Sequence, residues 1–155
     1  MIRDIIPTDH EFVARVALAF NRFGPYDSIF VGMMKGEPPP FVAGEVALVV
    51  HLNDVGQQTG FIAVEWPRVG DGNVGHIHGV AVDDKFRRQG IATLLLDHVA
   101  KIARDRMLSR LECITAETDN PHALNCFKSY GFRTKGYCGS YPNRQRAVKL
   151  HLNIT

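Results

Sequence analysis

The sequence contains few cysteines and no long apolar run. Its three cysteines, Cys113, Cys126 and Cys138, are widely spaced and form no CxxC pair. This pattern favours a reducing compartment and argues against a disulfide-rich framework. No stretch reaches the about 20 apolar residues that a membrane span needs, and the first residues lack the apolar core of a signal peptide. We therefore expect a cytoplasmic protein with no membrane partner.

The chain also carries little net charge. Its 18 Lys and Arg residues and 16 Asp and Glu residues leave a formal charge of +2, and the basic residues are scattered. Nucleic-acid binders usually gather basic residues into a patch, so we expect no nucleic-acid partner. The GxxxxGK[ST] motif of nucleotide-binding proteins is missing, and no GxGxxG turn opens a predicted helix. A length of 155 residues and a hydrophobic content of 45% indicate a single globular domain over residues 1–155.

Hydrophobic periodicity and turn residues predict strands and helices along most of the chain. Strands at 45–51, 60–66 and 74–83 are separated by the turns 53–56 and 70–73, so they should be sequential and antiparallel. A helix should follow Gly90, and another should run from Pro121 to Tyr130. The remaining elements are a strand at 2–6, a helix beginning near residue 8 or 9, and strands at 111–117, 132–138 and 146–153. The predicted fold class is α/β (α+β), with one mixed, mostly antiparallel sheet of about seven strands flanked by helices.

Residues 22–44 interrupt this regular pattern with four prolines and four glycines. Such a segment is typical of an irregular loop with at most one helical turn. It is either a lid over the substrate or a plain connection that places its aromatic residues in the core. The sequence favours neither alternative.

The stretch from Val80 to Leu96 is the most informative part of the chain. An apolar strand runs into a short charged loop, and a glycine turn then opens an amphipathic helix. The free N–H groups of the first helical turn and the positive end of the helix dipole therefore meet at one point. Arg87 and Arg88 stand beside that point, which suits a phosphate or pyrophosphate group. A side chain at Gly90 would hinder the approach of an anion to the backbone.

A second block at 120–132 again joins a strand to a capped helix and ends in Gly-Phe. Together the two blocks resemble the GNAT superfamily of N-acetyltransferases, and the order of elements is similar over nearly the whole chain. The stretch from Arg87 to Ala92 matches the pyrophosphate motif for acetyl-CoA. Asn120, Ala123 and the Gly-Phe pair match the second cofactor motif.

The resemblance implies acetyl-CoA as the cofactor and no metal. It also implies a GNAT-like sheet that is splayed between strands 4 and 5, with the pantetheine arm of the cofactor in the gap. The implied cofactor-binding residues are Val80, Ala81, Val82, Arg87, Arg88, Gln89, Gly90, Ile91, Ala92, Thr93, Asn120, Ala123 and Phe127.

The implied reaction is transfer of the acetyl group to a primary amine by direct attack in a ternary complex. The amine would belong to a small molecule, a protein lysine or a protein N-terminus. Transfer needs a neutral amine, a polarised carbonyl and a proton for the departing thiolate. The N–H of Val82 is a candidate for polarising the carbonyl. The alternative is a non-catalytic acyl-CoA sensor or scaffold of the same fold. A homodimer is a further expectation, because dimers are common in the family.

The general acid is uncertain because Phe127 stands where the family often has a tyrosine. Phenylalanine has no proton to give. Tyr130 lies three residues later on a similar helix face and is a candidate acid, although a packing role is favoured. A departing thiolate can also take its proton from water. Cys126, next to this position, is interpreted as a small apolar residue and not as a nucleophile.

The candidate bases are His76 and His78, near the start of the strand at 74–83. Their spacing of two places both on one face of that strand. The ordinary pKa of histidine near 6.5 lets it accept an amine proton directly or through water. Each also has an ordinary structural interpretation. The His-x-His pair lacks a third ligand with telling spacing, so no metal site is expected.

The sequence leaves the chemistry of the acceptor open. Arg144 and Arg146 near the last hairpin would favour an acidic acceptor. Glu45, Glu65 and Asp71 would favour a cationic one, and Glu65 is also a possible base. The small net charge does not decide between them.

Overall fold

The computed structural model describes residues 1–17, 30, 32–38, 40–116, 121–140 and 146–154. The helices are α1 (His10–Ala17), α2 (Ile91–Asp105) and α3 (Pro121–Tyr130), and short 3-10 turns lie at Pro7–Asp9 and Asp84–Phe86. The strands are β1 (Ile2–Asp4), β2 (Glu45–Leu52), β3 (Gln58–Trp66), β4 (Val74–Val82), β5 (Arg110–Ala116), β6 (Arg133–Ser140) and β7 (Arg146–Asn153).

All seven strands belong to one mixed sheet with the order β1-β2-β3-β4-β5-β7-β6. β1 to β4 are antiparallel neighbours, as the short turns between β2, β3 and β4 predicted. β4 and β5 are parallel, and α2 is the crossover that a parallel pair requires. The predicted fold class is confirmed.

β4 and β5 pair only at their first residues. The pairs run from Val74 with Arg110 to Ile77 with Cys113, and among the described residues the two strands have no pairing beyond that point. We call the place where they separate the vertex. The splay predicted between the fourth and fifth strands is therefore present, and the wedge it opens lies next to the start of α2.

Two apolar cores cover opposite faces of the sheet. On the α2 face, Ile77 and Leu111 pack with Leu95 and Val99 of α2. On the α1 face, Phe61 and Leu48 pack with residues of α1. Side chains alternate between the two faces of the sheet along a strand. The residues next to Ile77 in β4 and next to Leu111 in β5 therefore lie on the α1 face. That alternation places the polar residues near the vertex on one side of the sheet.

α2 forms because its apolar residues recur at helical spacing. Ile91, Leu95, Leu96, Val99, Ala100 and Ala103 are all buried, which gives the helix one continuous apolar stripe toward the sheet. Its first residue is thereby fixed close to β4, so the loop after β4 has to turn sharply. This packing determines where the N-terminus of α2 points.

The helix at 121–130 and the strand at 146–153 have the predicted bounds, and the other element boundaries differ from the predicted ones by at most two residues. The 22–44 segment is only partly described. Residues 30 and 32–34 are helical, and Phe30 and Met33 are buried on the α1 face. For these residues the structure agrees with the second alternative, a plain connection that places its apolar side chains in the core. Residues 22–29, which the lid hypothesis also covers, lie outside the described residues.

Candidate active site

The loop between β4 and α2 has the backbone shape of an anion site. Arg88 and Gly90 both adopt positive φ, at 64° and 76°, and Gly90 is the N-cap of α2 in the left-handed conformation. The first helical hydrogen bond runs from the Leu94 N–H to the Gly90 carbonyl at 3.1 Å. The N–H groups from Ile91 to Thr93 therefore have no acceptor within the helix, and they point toward the loop.

The charges around this loop are arranged unevenly. Arg87 is paired with Asp84 at 2.9 Å, whereas Arg88 and Gln89 are exposed. Asp83 is buried and accepts a 2.9 Å ion pair from Arg15 of α1. Burial alone would raise the pKa of Asp83, but the Arg15 hydrogen bond and the Lys85 N–H lower it on balance. The loop is thus tied to α1, and Arg87 and Arg88 remain near the free N–H groups.

A bulge in β4 lies directly above the vertex. Ala63 of β3 pairs with Gly79, but the next pair is Val64 with Ile77, so His78 is an extra residue in β4. Such bulges re-aim side chains and commonly lie next to active sites. Beyond the bulge Val80 and Val82 pack toward the α2 face and Ala81 toward the α1 face. The predicted cofactor-contacting part of β4 is therefore the part that borders the wedge.

Gly79 of β4 has no room for a side chain. A Cβ atom at this position would lie 2.6 Å from Cζ of Phe30. Phe30 in turn packs edge-to-face on Phe61, with ring centroids 5.5 Å apart. The missing side chain therefore makes room for an aromatic ring of the 22–44 segment.

His78 forms a pair with Glu65 of β3. Its Nε2 atom lies 2.8 Å from Glu65 Oε1, and both side chains are largely buried. Glu65 Oε2 accepts hydrogen bonds from the N–H groups of Gly44 and Ala43 at 2.8 and 3.2 Å. Burial raises the pKa of Glu65, but the hydrogen bonds from His78 and Gly44 outweigh it, so the pKa is lowered. Glu65 is therefore a carboxylate that holds His78 and the 43–44 backbone together.

His76 occupies the strand position two residues earlier. It pairs in register with Glu65 on one side and with Glu112 on the other. Burial lowers its pKa, and this outweighs the opposite effect of the two glutamates. The imidazole is therefore neutral at physiological pH and able to accept a proton. Both predicted histidines lie on the α1 face near the vertex.

Phe127 and Tyr130 of α3 face different surroundings. Phe127 is 4% exposed and packs edge-to-face on Phe132 at 5.2 Å in the core of the α2 face. The Tyr130 hydroxyl donates a 2.7 Å hydrogen bond to Asp97 of α2. Burial and the Asp97 carboxylate raise the pKa of Tyr130, which makes it a weaker proton donor. These contacts favour packing roles, and the predicted functions of both residues stay predictions.

The remaining predicted site residues are less informative. Asn120 lies outside the described residues. Ala123 is half-buried against the core of the α2 face. Burial raises the pKa of the Cys126 thiol, which disfavours a thiolate nucleophile. Among the described residues there is no cluster of three His, Cys, Asp or Glu side chains that would hold a metal ion. No described helix is long and apolar enough to cross a membrane.

Three features of this region could not be predicted from the sequence. The bulge at His78 has no sequence signal, because it appears only when β3 and β4 are placed in register. The Arg15–Asp83 ion pair joins residues that are far apart in sequence. A third contact is a set of cations around buried Glu112, contributed by β5, β6 and β7. Each depends on tertiary structure and not on local pattern.

Comparisons with known proteins agree with this geometry. The model of the acetyltransferase (GNAT) family matches residues 25–132. No curated protein sequence matched significantly. Ard1 from Thermoplasma volcanium superposes with a TM-score of 0.81 at 22% identity, covering 100% of this chain and 97% of that one.

Two further solved structures share the fold. The ribosomal-protein-S18-alanine N-acetyltransferase from Escherichia coli has a TM-score of 0.74 at 19% identity, covering 100% of this chain and 94% of that one. An aminoglycoside 6'-N-acetyltransferase complexed with coenzyme A has a TM-score of 0.75 at 15% identity, covering 100% and 97%. At these identities the similarity shows the fold alone.

Proposed function

Because the chain belongs to the GNAT acetyltransferase family, we propose that it transfers the acetyl group of acetyl-CoA to a primary amine. The observation that carries the proposal is one arrangement around the vertex. A helix N-terminus with free N–H groups lies at the open end of the wedge, and two histidines lie at its closed end. This arrangement supports an anion site at one end of the gap and a proton acceptor at the other.

The cofactor site is proposed at the β4–α2 loop and along the free edge of β4. The N–H groups from Ile91 to Thr93 and the positive charge of Arg88 suit a pyrophosphate. The peptide groups of Val80 to Val82 border the wedge and suit an amide-containing arm. When bound, acetyl-CoA supplies the activated acyl group. This assignment uses the residues predicted from the sequence motif.

In the proposed reaction the neutral acceptor amine attacks the thioester carbonyl carbon from the α1 face. The new C–N bond forms as the C–S bond breaks, and the thiolate leaves with the bonding pair. A backbone N–H of β4, with that of Val82 as the candidate, stabilises the developing oxyanion. The amine proton passes to a histidine directly or through water, and the thiolate takes a proton from water.

His76 is the preferred base, with His78 as the second candidate. His76 is neutral at physiological pH because burial lowers its pKa. His78 is held through Nε2 by Glu65, so only Nδ1 is left to face a substrate. His76 therefore accepts the proton. The His78–Glu65 pair shapes the acceptor side of the vertex, which is the α1 face from which the amine approaches.

The alternative function is a non-catalytic acyl-CoA sensor or scaffold. One observation favours it: the position at which the family often supplies an acid is a buried phenylalanine, Phe127, and the nearby Tyr130 proton is held by Asp97. Direct attack with water as the acid remains the better supported function, since thiolates are good leaving groups that need little assistance.

The proposal is tested by incubating the purified protein with acetyl-CoA and a panel of amines. Free thiol release is followed in parallel with CoA binding by calorimetry. Thiol release that depends on the added amine, with the acetylated amine found by mass spectrometry, establishes the acetyltransferase. Tight CoA binding without release from any amine supports the sensor. Failure to bind CoA at all overturns the assignment of the β4–α2 loop.

A further inference from the structure

Glu112 of β5 is a buried carboxylate surrounded by three cations. Its Oε1 atom accepts from Arg110 Nε at 2.8 Å and from Lys135 Nζ at 3.0 Å. Its Oε2 atom lies 3.0 Å from Lys149 Nζ. The Glu112 side chain is 3% exposed, whereas the cations are 35%, 43% and 33% exposed. We call these three cations the basic cluster.

The basic cluster carries more positive charge than its carboxylate needs. Among the described residues, Glu112 is the only carboxylate within ion-pair distance of these three side chains. One negative charge is thus set against three positive ones, which leaves a local excess of two. Their bonds to Glu112 hold the three head groups at a defined place on the surface. A concentrated, partly exposed positive charge of this kind attracts anions.

The basic cluster lies beside the vertex and on the same face as the candidate bases. Glu112 is the register partner of His76. Lys149 comes from β7, which follows β5 in the sheet, and Lys135 comes from β6 beyond it. Neighbouring strands are about 4.8 Å apart, so the cluster begins one strand away from His76. An anion bound there would lie about 5–10 Å from a reacting amine at the vertex.

This part of the α1 face is open. Ile114 alternates with buried Cys113 on β5 and is register partner of Lys149. Its side chain is on the α1 face and is 52% exposed. Helices α2 and α3 pack on the opposite face of β5. A substrate that reaches the vertex across this part of the α1 face would pass over the basic cluster.

We infer that the acceptor is an amine that also carries a carboxylate or phosphate group, and that the basic cluster binds this anion. The inference rests on the proposed acetyl transfer and names its substrate class. Of the two charge patterns that the sequence left open, it favours the acidic acceptor. Glu65, one of the three residues that would favour a cationic acceptor, is already occupied by His78 and the Gly44 N–H.

The test compares acceptors that differ only in charge. One arm uses short peptides with a free N-terminus and either Asp or Asn at the second or third residue. The other arm uses aminopropyl phosphate against aminopropanol, with spermidine as a cationic probe. We expect kcat/KM to be about tenfold higher for the acidic member of at least one pair, which corresponds to about 1.4 kcal/mol. The arm that shows the preference identifies a peptide or a small-molecule source of the anion.

The variants remove charge without removing the partner of Glu112. Lys135→Gln and Lys149→Gln leave Arg110 in contact with the carboxylate. At a pH above the His76 limb, where loss of the Lys149 charge leaves His76 neutral, the double variant should lose most of the preference through a higher KM for acidic acceptors. The matched control is Lys101→Gln, which removes an exposed lysine of α2 that is paired with Asp105 at 2.7 Å and should change neither kcat nor KM.

Two results would overturn the inference. One is equal kcat/KM for acidic and neutral acceptors, and the other is a preference that survives the double variant. Loss of the proposed function is recognised separately, as the absence of thiol release with every amine. In that case aminopropyl phosphate is titrated calorimetrically into the CoA-saturated protein. Binding that disappears in the double variant supports the anion site, and no binding overturns it.

Discussion

His78 Nε2 lies 2.8 Å from Glu65 Oε1, and the other oxygen of the same carboxylate accepts the Gly44 N–H at 2.8 Å. One glutamate therefore joins the bulge of β4 to the end of the 22–44 segment. Phe41 of that segment lies near the His78 ring, with centroids 6.2 Å apart. The acceptor side of the vertex is thus held together by a single ionised group, and its charge acts on His76 as well.

The pH dependence of turnover should report the neutral form of His76. Burial lowers its pKa below the ordinary value of 6.5, so kcat/KM calculated for the neutral form of the acceptor amine should rise with pH along a limb centred below that value and stay level above it. Glu65→Gln removes a charge that raises the pKa of His76, and the limb should move to lower pH.

His76→Ala should lower kcat by about 10²-fold and abolish the limb. A pH–rate profile checks this, with His10→Ala as control; an unchanged limb in His76→Ala would return this histidine to a structural role.

Gly90→Ala should weaken CoA binding beyond its effect on folding. Gly90 has a φ of 76° with open space where a Cβ atom would stand. The left-handed conformation costs an alanine about 1–2 kcal/mol, and the added methyl group stands beside the proposed pyrophosphate. Gly56→Ala is the control, because Gly56 has a φ of 80° and equally open surroundings. Both variants should lose similar stability in urea unfolding, and only Gly90→Ala should lose CoA affinity by calorimetry. Equal affinities would contradict the anion site.

Phe127→Tyr should destabilise the protein and should not accelerate turnover. The Phe127 ring is buried against Phe132 in the core of the α2 face, so a new hydroxyl would be placed among apolar groups. Burying an unpaired hydroxyl costs about 1–3 kcal/mol. Phe41→Tyr is the control, since Phe41 is 65% exposed and its variant should unfold like the parent protein. An increase in kcat for Phe127→Tyr would instead show that its hydroxyl reaches the thiolate.

Tyr130→Phe distinguishes a packing role from catalysis. The hydroxyl donates to Asp97 and joins α3 to α2, and hydrogen bonds to charged groups contribute about 1.5–3 kcal/mol. We expect a loss of stability near the lower end of this range, with kcat changed less than about twofold. Asp97→Asn should show the same pattern. A fall in kcat for Tyr130→Phe, not shared by Asp97→Asn, would establish Tyr130 as the acid.

Glu112→Gln should destabilise the protein in a manner that depends on pH. Burial raises the pKa of Glu112, but the Arg110, Lys149 and Lys135 hydrogen bonds outweigh it and lower the pKa from 4.5 to about 2. The ionised form therefore stabilises the native state at neutral pH, and this stabilisation is lost as pH falls from 4.5 through about 2.

Urea unfolding checks that expectation. At neutral pH the variant should lose about 3 kcal/mol, because three cations lose their anion. Near pH 2 the variant and the parent protein should unfold alike. Exposed Glu11 of α1 provides the control Glu11→Gln, which should have little effect at either pH. A difference that persists at low pH would mean that the glutamine disturbs packing and not charge.

The elements of the fold were predictable because their signals are local. Ile91, Leu95 and Val99 recur at helical spacing, and the turns between β2, β3 and β4 contain the glycines that hairpins favour. The turn between β4 and α2 was predictable for the same reason, since its residues lie within one contiguous stretch ending at Thr93. The splay of β4 from β5 was expected only through the family resemblance.

The acceptor side was not predictable in this way, because its residues come from strands that are distant in sequence. Glu112 meets Lys135 and Lys149 only after β5, β7 and β6 are placed side by side. The contact of Gly79 with Phe30 likewise joins β4 to a segment that is distant in sequence. Register and tertiary packing decide these contacts, and neither leaves a pattern in a single sequence.

The separation of β4 from β5 also places two strand edges inside the sheet and not at its border. From His78 to Val82, one side of β4 has no strand partner among the described residues. Free edges normally recruit strands from other copies of a chain, which leads to aggregation. These two edges diverge from the vertex, so an inserted strand could keep the ladder spacing of about 4.8 Å to only one of them. The wedge is thus a poor template for an added strand, which disfavours self-association through the middle of the sheet.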